Sequence, residues 1–129
     1  MPVLDDRVFP VAQVQQAAPT LVGYIDQVLF WYEGLTNWAP LLPNAPPSVP
    51  KGTAFQLAVA WVNQSNVNIR GNVGLTITRP DGTQLTPAAT GQQDQVAAPG
   101  NGWIVAFGPV TLDQVGAYQG RAVLSGVQA

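Results

Sequence analysis

The side chains able to do chemistry are few. Asp5, Asp6, Asp26, Glu33, Asp81, Asp94 and Asp113 supply the side-chain carboxylates, Ser48, Ser65 and Ser125 are the serines, and the sequence has no histidine and no cysteine. Without histidine, the commonest general base and the commonest metal ligand are both missing, and no serine has an imidazole to activate it. Acid–base work by paired carboxylates needs two groups converging across a cleft. Here Asp5 and Asp6 are adjacent near one terminus, Asp26 and Glu33 flank an aromatic run, and Asp81, Asp94 and Asp113 sit in separate polar stretches. A calcium site from Asp81, Asp94 and loop carbonyls is conceivable on residue type, yet it lacks the spacing of an EF-hand loop. The expectation is a protein that is not an enzyme, with no catalytic residues, no metal and no cofactor.

The remaining charge excludes further classes. Arg7, Lys51, Arg70, Arg79 and Arg121 are spread along the chain and the net charge is −2, whereas phosphate-backbone binding needs cations gathered on one strip. Nucleic acid is not an expected partner. The longest apolar run, residues 28–32, is far too short to cross a bilayer, so no membrane partner is expected either. The acidic start, residues 1–7, does not resemble a secretory signal. Made and assembled in the cytoplasm, or trimmed of a signal, are the two readings this leaves. Asn63-Gln64-Ser65 matches the glycosylation acceptor pattern and is read as a chance match. Only 9% of residues are charged against 47% hydrophobic, so Gln, Asn, Thr, Gly and Pro must cover the surface. That composition is common in β-rich proteins of cell exteriors and assembled particles, and 129 residues suffice for one domain plus an extra segment.

The elements that would position these residues are strands. In residues 55–63 and 73–79 the larger apolar side chains recur at every second position, the period that puts them on one face of a pleated strand. Phe55, Leu57, Val59 and Trp61 form one such face; Val73, Leu75 and Ile77 form another. Arg79-Pro80-Asp81-Gly82-Thr83 is a turn: proline presets φ, aspartate accepts local backbone bonds and glycine supplies the positive φ. A short strand at 84–86 returns from it, and residues 87–102, without a period, predict a surface loop. Trp103, Val105 and Phe107 mark the next strand, and residues 117–124 the last.

The first 46 residues read differently. Residues 1–23 show no clean period and contain Pro2, Pro10 and Pro19. A brief helix over 11–18 would align Val11, Val14 and Ala18 but bury little, so an extended arm is the better expectation. Val3, Leu4, Val8, Phe9, Val11 and Val14 are too apolar for a solvated tail, which predicts an arm that lies on a neighbouring subunit. Residues 24–38 carry five of the eleven aromatics, and Ile25, Val28, Leu29, Phe30 and Trp31 predict a strand covered on both faces. Residues 38–50 hold five prolines, which excludes regular pairing over most of that length and predicts a semi-rigid link. The expected division is residues 1–46 as arm and linker, with one apolar strand, and residues 47–129 as sandwich.

Leu112, Asp113, Gly116 and Tyr118 resemble the tyrosine corner of immunoglobulin-like domains, which leads into the penultimate strand. The resemblance covers roughly residues 47–125 and implies an all-β, immunoglobulin-like β-sandwich with an extended N-terminal arm. It departs from the antibody pattern at Gly120, where the disulfide cysteine would stand. It also departs in length, since residues 125–129 are too few for a turn and a final strand, which predicts an open edge beside the last strand. The arm, the sandwich and the absent secretion signal together are similar to capsid decoration or auxiliary proteins of tailed bacteriophages. This implies a virion structural protein with protein partners and self-association. The expected interface residues are Phe9, Ile25, Val28, Leu29, Phe30, Trp31, Tyr32 and Trp38. The alternative is a cell-surface adhesin, filament subunit or carbohydrate-binding module, for which Trp103 beside Asn101, or Trp38, would be the sugar platform.

Overall fold

The computed structural model describes residues 2–13 and 21–129, and among these there is no helix. The strands are β1 (Gly23–Tyr32), β2 (Ala39–Pro40), β3 (Thr53–Asn63), β4 (Ile69–Thr78), β5 (Gln84–Leu85), β6 (Gln95–Ala97), β7 (Gly102–Leu112) and β8 (Gln119–Gln128). They form two antiparallel sheets. The first has the order β2-β1-β3-β7; in the second, β4 is flanked by β8 on one side and by β5 and β6 on the other. Side chains of both sheets meet in one core, with Phe30, Phe55, Leu57, Val59, Trp61, Val105 and Phe107 from the first against Ile69, Val73, Leu75 and Ile77 from the second. This is the arrangement of a β-sandwich.

The period-2 reading accounts for β3 and β4. On β4, Ile69, Gly71, Val73, Leu75 and Ile77 are all buried while the residues between them are not. Gly71 is inward because Trp61 lies over it: a Cβ there would stand 2.5 Å from the indole ring. At the other end of the core the rings of Phe30, Tyr32 and Phe55 stack, with centroids 5.6–6.1 Å apart and planes within 15°.

Two expectations change. The apolar strand assigned to the arm is β1, and it pairs with β3 from Gly23↔Asn63 to Tyr32↔Phe55 with one bulge at Asp26. The sandwich therefore takes in β1 as well as the residues after 47, and the proline-rich stretch is a connection within it, tied down by β2 and by the Leu41 N–H on the Val28 carbonyl. Residues 87–102 are not a free loop either. Thr90 N–H donates to the Ala106 carbonyl and Gly108 N–H to the Ala88 carbonyl, which covers the middle of the outer flank of β7, while β6 pairs with β4 and buries Ala97. The possible helix over 11–18 falls largely on residues 14–20, outside the described residues.

Candidate assembly edge

How each strand flank is covered decides where another molecule can join. On the side of β4 away from β8, β5 and β6 occupy the ends and the Gln93 side chain occupies the middle. Its amide donates to the Val73 carbonyl at 2.6 Å and accepts the Val73 N–H at 2.9 Å, the pair of bonds a neighbouring strand would make. β8 is different. It runs the full length of β4 in unbroken register, from Thr78↔Gln119 to Ile69↔Gln128, and among the described residues it pairs with nothing else.

The register also fixes which backbone groups are free. Ala129 N–H donates to the Asn68 carbonyl, so the odd-numbered residues of β8 bond to β4. In an antiparallel ladder the alternate residues point their N–H and C=O the other way. Gly120, Ala122, Leu124 and Gly126 therefore direct theirs outward, along an edge ready for one more strand.

Before its last residue, Gln128 opposite Ile69, the inward side chains of β8 are the same four residues, since they pair with the buried Ile77, Leu75, Val73 and Gly71. They are small, apart from Leu124, and the sheets stay apart over them. One cavity of about 510 Å³ opens beside Gly120, with Phe55, Leu57, Ile77 and Tyr118 in its wall and Val49 and Lys51 at its proline-rich side. A Cβ added at Gly120 would meet nothing within 4 Å. A second cavity, about 190 Å³, lies by Gly126 and is lined by Leu21, Val22, Trp61 and Ile69. There the Trp61 indole N–H, fully buried, has no acceptor among the described residues.

The corner leading into β8 is held by polar contacts. The Tyr118 hydroxyl accepts the Gln114 N–H at 2.9 Å and lies 3.5 Å from the Asp113 carboxylate, contacts that tie the start of β8 to the segment before it. The Gln114 side chain then reaches the 80–83 turn, donating to Asp81 Oδ2 and accepting the Asp81 N–H. Asp81 also accepts from the Thr83 hydroxyl and N–H, and these bonds, the Thr83 hydroxyl first, hold its carboxyl below the usual value. Gly116 has φ +132°, and a Cβ there would stand 2.8 Å from Pro80. Leu112 packs against the core edge.

The expected interface residues divide. Ile25, Val28, Phe30 and Tyr32 pack on the core, so their apolar surface is already used inside the chain. Leu29 and Trp31 lie on the opposite face of β1 and are half-buried, with the Trp31 indole bonded to the Leu35 carbonyl. Trp38 is partly exposed and Phe9 is 66% exposed. Trp103 packs against the core with its indole on the Val96 carbonyl. Asn63 of the glycosylation pattern is fully buried, donating to the Val67 and Ala97 carbonyls and accepting the Ser65 N–H. Asp94 accepts from Asn72, and among the described residues no three metal-ligating side chains gather.

The small inward residues of β8 are the feature that sequence reasoning missed. Gly120-x-Ala122 reads as a weak strand, although spacing by two was the available signal. No protein-family model matches the chain, and no curated protein or solved structure is significantly similar to it.

Proposed function

We propose that the protein is a non-enzymatic structural subunit that joins a larger assembly by accepting a strand at the outer edge of β8. The observation that carries this reading is the coincidence, on one strand, of a free backbone edge with small inward residues and a cavity behind them. Strand addition uses both: the edge supplies main-chain hydrogen bonds, and pockets take alternate side chains. In this reading the fold is an immunoglobulin-like sandwich. β1-β3-β7 correspond to its first, second and fifth strands, β4 and β8 to its third and sixth, and the free edge is where its seventh would lie. The setting we favour is a virion, with the chain as a capsid decoration or auxiliary protein assembled in the host cytoplasm. Low charge and a Gln- and Thr-rich surface support it.

Ala122→Pro tests the reading. Its N–H points away from β4, so proline there removes one outward donor and keeps the ladder to β4. Sedimentation should show loss of association with itself or with its particle, at an unchanged far-ultraviolet circular dichroism spectrum. A folded variant that associates as the wild type does would refute strand addition at β8.

A further inference from the structure

We propose that the strand accepted at β8 is the N-terminal segment of a second copy of this chain, residues 8–12, with Phe9 seated in the cavity beside Gly120. The inference rests on the strand-addition reading above and names its occupant.

Three observations converge on it. Residues 2–13 are exposed throughout, and they make no backbone bond to the sandwich among the described residues, so Val8, Phe9 and Val11 offer apolar surface that their own chain leaves uncovered. The segment also fits an edge position chemically. In a strand, Phe9 and Val11 share both a face and a ladder side, and Pro10 turns the opposite way. In an antiparallel pairing with Phe9 and Val11 bonded to β8, the missing N–H of Pro10 faces outward, where a proline is tolerated. Either neighbouring register, with Pro10 facing β8, would lose a ladder bond and turn Phe9 out of the groove.

Charge supplies the third. Asp5, Asp6 and Arg7 precede the segment, and Arg7 lies 3.5 Å from Asp5, so Asp6 supplies the net negative charge there; Lys51 at the cavity's side and Arg121 on β8 are exposed and have no carboxylate within 4 Å among the described residues. The arm of one copy, with a single net negative charge over residues 5–7, and the edge of the next therefore carry opposite net signs. Because the donor segment and the acceptor edge are different surfaces, the contact is heterologous, and repetition generates a ring or an open chain of subunits.

Two full-length variants test this. Phe9→Asp removes the anchor from an exposed site and keeps the edge. Gly120→Phe fills the cavity from its own strand, where there is open space for a side chain, and keeps the arm. Circular dichroism and thermal unfolding establish that both fold. By sedimentation velocity, the wild type should associate and each variant alone should associate about thirtyfold more weakly, as expected for loss of a central aromatic anchor. An equimolar mixture should form a one-to-one complex, with the arm of Gly120→Phe on the edge of Phe9→Asp. Loss of association in Gly120→Phe with none in Phe9→Asp would overturn the arm as occupant and leave the edge reading standing. Wild-type association in both variants would overturn both. A monomeric wild type, whether Phe9 is protected on its own β8 or exposed, would overturn donation between copies.

Discussion

β3 and β8 are strands of similar length in the same sandwich, and they are built on opposite terms. β3 has a neighbour on each flank and burial on both faces: Phe55, Leu57, Val59 and Trp61 fill the core, and Ala58 and Ala60 are also buried on the outer side. β8 has one neighbour, inward residues that are glycine, alanine and a half-buried leucine, and no fully buried position. The folded chain draws its stability from the first strand and leaves the second incomplete. Strength and the unpaired flank are thus separated, and under the proposal above a partner would add at β8 without the core being opened.

The comparison breaks if the two strands respond alike to truncation. Trp61→Ala removes a side chain only 2% exposed and should lower unfolding stability by about 3–5 kcal/mol in denaturant titration. Leu124→Ala, at a half-buried site beside the free edge, should cost about 1 kcal/mol in the single chain. Similar losses would mean that β8 is as much a core strand as β3. At the end of β3, Asn63→Ala would remove the side-chain partner of the buried Ala97 carbonyl, the part-buried Val67 carbonyl and the Ser65 N–H, with an expected cost of about 3 kcal/mol measured the same way.

Effects at the β8 end should be smaller. Tyr118→Phe removes the acceptor of the Gln114 N–H at a partly exposed corner, and about 1 kcal/mol is expected. The smallest effect is a pH dependence. Because the carboxyl of Asp81 is held below its ordinary value of 3.8 in the folded chain, its contribution is present above that value and is lost as the pH falls through and below it. Acid titration of stability should therefore flatten slightly in Asp81→Asn. An identical acid slope in both proteins would show that the turn-to-corner contacts contribute nothing.

Much of the fold was legible in residue order. The alternation of β3 and β4, the turn at 79–83 and the Tyr118 corner all follow from local pattern, because each depends on neighbours in sequence. β1 was legible as a strand, yet its outward Leu29 and Trp31 are only half-buried rather than covered, and its place was not legible: five prolines between it and β3 look like a boundary, and only pairing across that distance shows that it belongs to the sheet. Gln93 is another case, since nothing in a glutamine codon's neighbourhood says that its side chain will stand in for a strand against Val73. The last strand is expected over 117–124, and β8 in fact spans Gln119–Gln128. What residue order concealed was the cavity beside Gly120, because space is set by several segments at once: the proline-rich connection, the corner and the ends of β3 and β4.

Amide hydrogen exchange along β8, read residue by residue in dilute and in associated protein, tests the edge most directly. The N–H groups of Arg121, Val123, Ser125 and Val127, bonded to β4, should be protected in both states. Those of Ala122, Leu124 and Gly126 should exchange rapidly when dilute and become protected on association. If these outward amides still exchange rapidly in the associated protein, strand addition at β8 is wrong.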